Sequence, residues 1–353
     1  MSIRVLIVED SPVVRELLEH LVGSDPRFRV VGSVPTAEDA LAVLPRLKPD
    51  VVSMDINLPG MNGLDAITEI MHNRPTPTVV VSASARPDEV KLTMDALGAG
   101  ALAVVEKPPG PGDPRHARLA RRLLSQLAIM SRVKVIRQRR ITVRRRPPAA
   151  RSAAPVRPPA SGYAALGIVA STGGPGALEV LLGSLRPGFP VPILLVQHIG
   201  ESFLDGFVQW LGGLCPLPTR KARAGETPRP GTVHVAPDRR HLAVINGRLR
   251  LLDTDLVCFQ RPSGTVLLES MATEYGRSGI GVVLTGMGED GATGLAAMRE
   301  SGGYTIAEDA STAVVYGMPR AAVELGGACE ELPLDAIGPR LNDLVPSPVK
   351  GEA

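Results

Sequence analysis

The stretch Gly167-Ile168-Val169-Ala170-Ser171-Thr172-Gly173-Gly174-Pro175-Gly176 places a hydroxyl where a reaction is easily supported. The apolar run Ala164 to Ala170 reads as a buried strand, and Ala177-Leu178-Glu179-Val180-Leu181-Leu182 has helical apolar spacing. Ser171 thus sits at a strand-to-helix turn, near free backbone N–H groups and the positive end of a helix dipole. Glycines there permit a sharp turn and close approach of a substrate. Such a turn suits a nucleophile whose reaction builds an oxyanion. A plain βα turn with a serine cap, or a phosphate cradle, would look similar. The glycine spacing matches neither a dinucleotide fingerprint nor a Walker loop. Val169 also occupies the position where a nucleophile elbow carries glycine.

Two more strand ends carry complementary groups. Pro192-Ile193-Leu194-Leu195-Val196 reads as a strand ending at Gln197-His198. Gly279-Ile280-Gly281-Val282-Val283-Leu284 reads as another, breaking at Thr285-Gly286-Met287-Gly288-Glu289-Asp290-Gly291-Ala292. Serine, histidine and aspartate together can hydrolyse an ester. The histidine moves the serine proton, and the aspartate fixes the histidine tautomer and stabilises the imidazolium. Taken singly, His198 reads as a packed strand-end residue and Asp290 as a helix cap.

A second constellation lies earlier. Strands over 4–8, 50–54, 78–81 and 101–105 end at Glu9-Asp10, Asp55, Ser82 and Glu106-Lys107. In a parallel sheet such ends gather at one edge. Three adjacent carboxylates repel and tend to hold protons. A divalent cation relieves this, and Mg²⁺ prefers carboxylate and carbonyl oxygens. An aspartate can accept a phosphoryl group as an acyl phosphate, with Mg²⁺ and a lysine neutralising the charge. The plainer reading is that these acids end strands in solvent.

The elements that must position these groups alternate. Ser11-Pro12 opens a helix through Leu21, Val30–Ser33 is a strand, Thr36 caps a helix, and another helix starts at Leu64 after the loop Asn57–Gly63. The helical run Arg118–Met130 closes this part. Alternation of helices with buried strands predicts an α/β doubly wound parallel five-stranded sheet. In the second part, Phe203–Leu211 reads as an amphipathic helix. Gly231–Pro237 and His241–Ile245 read as antiparallel strands, with Asn246-Gly247 as a hairpin turn. A helix over Leu295–Glu300, a strand over Tyr304–Ala307 and a last helix opening at Gly317-Met318-Pro319-Arg320 follow. This predicts a second α/β domain with a mainly parallel sheet and an antiparallel hairpin.

At 353 residues the chain is long enough for two or three domains. No run of 18 apolar residues predicts a membrane span, and the N-terminus runs straight into a strand rather than a signal peptide. Cys215, Cys258 and Cys329 form no CxxC pair or disulfide framework, which favours a reducing cytoplasm. The six histidines show no metal-ligand spacing; apart from His198 they read as packing or surface residues. The net charge of +3 hides an asymmetry, because Arg132 to Arg157 holds ten Lys or Arg and no acid. That Pro/Ala-rich basic run reads as a linker or a docking surface for an acidic partner. It lacks the aromatic residues that stack on bases, and no helix-turn-helix pattern follows the first domain, so nucleic acid is not favoured.

Residues 3–109 resemble a response-regulator receiver domain. The resemblance implies that Asp55 accepts a phosphoryl group from a histidine kinase. It also implies that Glu9, Asp10, Asp55 and the Asn57 carbonyl form a Mg²⁺ site, and that Ser82 and Lys107 form the switch. Val104 departs from the pattern, which has an aromatic three residues before the lysine. Residues 164–328 resemble the catalytic domain of the chemotaxis protein-glutamate methylesterases. The resemblance is carried by Ala170-Ser171-Thr172-Gly173-Gly174, Gln197-His198, Ala236-Pro237 with His241-Leu242, Arg261-Pro262-Ser263, Leu284–Ala292 and Gly317-Met318-Pro319-Arg320. It implies Ser171 as nucleophile, His198 as base, Asp290 as orienting acid, and the Thr172 and Met287 N–H groups as an oxyanion hole, with no cofactor for hydrolysis. The substrates implied are glutamyl γ-methyl esters, and glutamines, of methyl-accepting chemoreceptors. Val169 departs from a usual glycine, and Thr265 from a usual acid. The expected organisation is a receiver over 1–131, a linker over 132–162, a methylesterase domain over 163–346 and a tail over 347–353. A cytoplasmic, phosphorylation-activated serine hydrolase follows. The competing readings are a paralogous regulatory adaptor or an esterase serving a non-chemotaxis partner.

Overall fold

Aliphatic runs with no polar alternation are stable as strands only when both faces are covered, and the longest such runs here are parallel strands of two sheets. The computed structural model describes residues 2–83, 87–133, 135, 159 and 162–346. Most of the basic joint, and the tail, lie outside these. The chain divides into two compact units, one within Met1–Arg144 and one within Arg145–Ala353.

The first unit alternates β1 (Ile3–Val8), α1 (Pro12–Gly23), β2 (Phe28–Val34), α2 (Ala37–Leu47), β3 (Val51–Met54), α3 (Gly63–Asn73), β4 (Thr78–Ser82), α4 (Pro87–Gly98), β5 (Ala103–Glu106) and α5 (His116–Met130). Its five strands are all parallel, in the order β2-β1-β3-β4-β5. Local chemistry sets the helix starts. Ser11 accepts the Val14 N–H ahead of Pro12, Thr36 accepts the Asp39 N–H, and Asn62 accepts the Asp65 N–H. Val5, Ile7, Val51, Val79 and Val81 form the core with Leu123 and Leu127 of α5. Pairing of Val8 with Met54 brings the ends of β1 and β3 level.

The second unit contains β6 (Ala165–Ala170), α6 (Gly174–Gly183), β7 (Ile193–Gln197), α7 (Glu201–Leu214), β8 (Thr219–Lys221), β9 (Val233–Val235), β10 (His241–Ile245), β11 (Arg248–Leu252), α8 (Gly264–Tyr275), β12 (Gly279–Val283), α9 (Ala292–Glu300), β13 (Tyr304–Glu308), α10 (Met318–Glu324), β14 (Glu330–Leu332) and α11 (Leu334–Leu344). Seven strands form one parallel sheet in the order β14-β13-β12-β6-β7-β9-β8. From β6 the chain builds outward on one side through β7, then returns to the other side at β12. The strand order therefore reverses beside β6, where open α/β sheets form their crevice.

Three expectations need correction. The strand around Val233–Val235 is not antiparallel to β10; it is a parallel member of the main sheet, between β7 and β8. Only β10 and β11 form the hairpin, around Asn246-Gly247, where both residues adopt positive φ. The helix expected from Leu295 starts at Ala292, and α10 is not the last helix, since α11 follows it.

Val169, the departure before Ser171, has a structural counterpart. A Cβ on Gly264 would lie 2.2 Å from Val169 Cγ1, so α8 can pack against β6 only because residue 264 has no side chain. Gly264→Ala should therefore destabilise by about 1–3 kcal/mol through overpacking. In denaturant unfolding, Val169→Gly added to Gly264→Ala should recover part of that loss. Simple additivity of the two costs would show that the sites do not share this space.

Candidate active site

Register at the switch point brings the expected serine, histidine and aspartate together. Ala170 pairs with Gln197 across β6 and β7, and Val169 with Val283 across β6 and β12. The next residues of these three chains therefore emerge side by side. The Ser171 N–H donates to the Thr285 carbonyl (3.0 Å), and the His198 N–H to the Ala170 carbonyl (3.0 Å). Gln197 Nε2 ties the two turns together, donating to the Ser171 carbonyl (2.8 Å) and the His198 carbonyl (3.1 Å). A Cβ at Gly286 would come within 2.8 Å of Ser171 Cβ, so the loop after β12 presses closely on the serine.

The side chains of His198 and Asp290 meet at 2.9 Å, from Nε2 to Oδ2. Their side chains are 9% and 3% exposed, so solvent competes little for this bond. Asp290 is also held by the start of α8. Ser263 Oγ donates to Oδ1 (2.5 Å), the Gly264 N–H to Oδ2 (2.6 Å) and the Thr265 N–H to Oδ1 (3.1 Å). Both readings of Asp290 meet here: it caps a helix, though the helix is α8, remote in sequence, and it orients His198. Burial alone would raise its carboxyl value. The hydrogen bond and charge of His198, with the Ser263 and Gly264 donors, outweigh burial and hold it below the usual range.

Asp290 takes one imidazole nitrogen and leaves the other. His198 Nδ1 is buried and has no hydrogen-bond partner in the structure. With the proton on Nε2 and directed at Asp290, Nδ1 is the nitrogen left to accept a proton. The structure shows no hydrogen bond between Ser171 Oγ and His198, as is common where a catalytic contact tightens only around substrate. Among the described residues, the N–H groups of Thr172 and Met287 meet no protein acceptor. Both flank the serine turn, and Met287 is half exposed.

The sequence left the support for Asp290 unread. His241, expected to be a packing residue, is fully buried. Its Nε2 lies 2.9 Å from the Asp255 carbonyl, and its Nδ1 accepts the Ser263 N–H (3.1 Å). A neutral His241 thereby fixes Ser263, which fixes Asp290. Thr265 contributes its own N–H and also accepts the Gly291 N–H (2.8 Å), tying α8 to the Asp290 loop. The Arg261-Pro262-Ser263 motif was the available signal, since serine before a helical run is a cap.

The first unit gathers its groups at the ends of β1, β3, β4 and β5. Lys107 Nζ lies 2.7 Å from Asp55 Oδ2 and 2.8 Å from Glu9 Oε2. Glu9 and Asp55 are buried and Asp10 is exposed. Ser82, fully buried, ends β4, and its carbonyl accepts the Lys107 N–H (2.9 Å). The Asn57 N–H donates to Asp55 Oδ1 (3.3 Å). Burial, and then the nearby Asp55, raise the Glu9 value despite Lys107. Burial would lower Lys107, but the Asp55 and Glu9 carboxylates outweigh it and raise it. Oxygen atoms of Glu9, Asp10 and Asp55 lie within 4.8 Å of one another. One ammonium cannot balance three carboxylates, so this hard-oxygen set fits a divalent cation. Val104 is half-buried on β5.

Both units match known families. The family model for the CheB methylesterase matches residues 166–341, and that for the response regulator receiver domain matches residues 5–117. The protein-glutamate methylesterase/protein-glutamine glutaminase 2 of Paramagnetospirillum magneticum is 55% identical over 346 residues, covering 97% of each chain. A protein-glutamate methylesterase/protein-glutamine glutaminase of Nitrosospira multiformis is 44% identical, again covering 97% of each. The crystal structure of the Thermotoga maritima CheB methylesterase catalytic domain matches with a TM-score of 0.50 at 36% identity, covering 52% of this chain and all of that one.

Asp290 stabilises the fold as a carboxylate. With its folded value lowered, that contribution is fully present above the unfolded value, about 4, and is lost as the pH falls through the folded one. The difference in Tm between the unmodified protein and Asp290→Asn should therefore narrow as pH falls from 7 to below 3. A constant difference would mean that the carboxylate is not preferentially held.

Proposed function

This chain belongs to the CheB methylesterase family whose members carry a receiver domain, and we propose that it hydrolyses glutamyl γ-methyl esters of chemoreceptors under control of phosphorylation. The observation that carries the reading is the His198–Asp290 pair beside the Ser171 turn, with Asp290 held by three further donors and His198 Nδ1 left without a partner. Ser171 Oγ attacks the γ-carbonyl carbon while His198 Nδ1 takes its proton. The carbonyl oxygen gains negative charge and is met by the N–H groups of Thr172 and Met287. One such donor is worth about 3 kcal/mol of barrier. The imidazolium, stabilised by Asp290, returns the proton to the leaving oxygen as the C–O bond breaks and methanol departs. Water then attacks the acyl-enzyme, giving a proton to His198, which returns it to Ser171 Oγ as the acyl C–O bond breaks; the released glutamic acid ionises to its carboxylate. A glutamine side chain enters the same sequence with ammonia as the leaving group.

In the receiver, Glu9, Asp10, Asp55 and the Asn57 carbonyl would hold Mg²⁺, which lowers the electrostatic cost of bringing a phosphoryl group to Asp55. Asp55 presents the acceptor oxygen, and Lys107 neutralises charge beside it. Ser82 and Lys107 report the modification, with Val104 in place of the usual aromatic. The phosphodonor is a histidine kinase, and the enzyme works in the cytoplasm at the receptors' inner ends. The adaptor alternative is not favoured, because a non-catalytic scaffold needs neither the paired His198 and Asp290 nor the intact serine turn.

The test is methanol release from methylated receptor membranes, with and without acetyl phosphate and Mg²⁺. Ser171→Ala should lower release by at least about 10³-fold. Acetyl phosphate should raise release by the unmodified protein and leave Asp55→Ala unchanged. Stimulation that persists in Asp55→Ala would place the control elsewhere, and release that persists in Ser171→Ala would remove the nucleophile assignment.

A further inference from the structure

Among the described residues, the mechanism above leaves one fully buried carboxyl unused. Glu308 ends β13 with no exposed surface, next to β12, whose loop carries Met287 and Asp290. Its Oε2 accepts the Thr285 N–H at 2.7 Å. Thr285 is the point at which the serine turn is fastened. Its carbonyl accepts the Ser171 N–H (3.0 Å), and its Oγ1 donates to the Thr172 carbonyl (2.9 Å) and accepts the Val315 N–H (2.9 Å). The next residue, Gly286, donates its N–H to the Val315 carbonyl and accepts the N–H groups of Gly317 and Met318. The backbone of Met287 thus leaves a residue pinned on both sides.

We infer that Glu308 is a positioning residue for the hydrolysis: by fixing Thr285, it sets the serine turn and the Met287 N–H in register with each other. This rests on the assignment of Ser171 and the Met287 N–H made above. Without an acceptor at 308, the Thr285 N–H would be buried and unsatisfied, and the strand end would shift to find a partner. Displacement of about 1 Å at a reacting group can cost about 10²-fold in rate. Burial pushes the Glu308 carboxyl up to about 7, with the Thr285 hydrogen bond opposing. Charged or neutral, the carboxyl offers Oε2 to the Thr285 N–H, and a glutamine can present its carbonyl oxygen in the same place.

The test uses the full-length protein with acetyl phosphate and Mg²⁺, and two readouts: steady-state methanol release from methylated receptor membranes, and the rate at which a fluorophosphonate labels Ser171 without receptor. Glu308→Ala should lower kcat by about 10–100-fold, with KM within about twofold, and slow labelling in parallel. Glu308→Gln should recover both rates to within about threefold. Unchanged rates in Glu308→Ala, or a Gln variant as slow as the Ala variant, would overturn the inference. If Glu308→Ala does not fold, Glu308→Leu, which fills the space without an acceptor, takes its place in the same comparison. Labelling that follows this pattern without methanol release in any variant would reject the ester substrate and leave the positioning role standing.

Discussion

A buried carboxylate is tolerated only where donors replace the water it has lost, and Asp290 is the point at which this chain meets that demand. Four donors converge on it: Ser263 Oγ, the N–H groups of Gly264 and Thr265, and His198 Nε2. The first three belong to the start of α8, where the helix dipole also favours negative charge. The helix needs the carboxylate to satisfy its free N–H groups, and the carboxylate needs the helix to remain ionised. His198 takes its tautomer from this arrangement. Which nitrogen stays free is therefore set by packing between α8 and the β12 loop rather than by anything in the histidine's own strand.

The two units solve unrelated chemical problems with one architectural rule. In each, the polar groups of the candidate site stand at the carboxyl ends of parallel strands, where loops can differ while the sheet fixes their origins. The receiver gathers opposite charges in direct contact around Lys107, a site suited to receiving a compact, highly charged group. The esterase unit gathers a neutral hydroxyl, an imidazole and one anion at the place where strand order reverses.

Much of this was legible because strand ends are marked by abrupt changes of residue type. Val8 to Glu9, Met54 to Asp55, Ala170 to Ser171 and Gln197 to His198 each pass from buried apolar sequence to a reactive group within a residue or two. What escaped was non-local. The three-residue strands β8, β9 and β14 are too short to carry a period, and β9 takes its direction from β7, some 40 residues earlier. The hairpin signal at Asn246-Gly247 is local, and it drew the neighbouring Val233–Val235 into the wrong pairing. The α8 cap was hidden because Ser263 and Asp290 are separated by 27 positions. Glu308 looked like any acid after a strand; only the tertiary fold shows that no solvent reaches it.

Val169 and Gly264 share one volume, although α8 and β6 are separated in sequence by nearly half of the unit. A larger side chain at either position calls for a smaller one at the other. In chimeras between relatives, a crossover between these positions separates the bulky side chain from the hole that admits it. The product inherits either a collision or a void between α8 and β6, next to the donors that hold Asp290. Recombination tolerance in this domain should therefore be lowest across that interval, which also holds the β10–β11 hairpin, whose Leu242, Val244 and Leu249 pack into the same core.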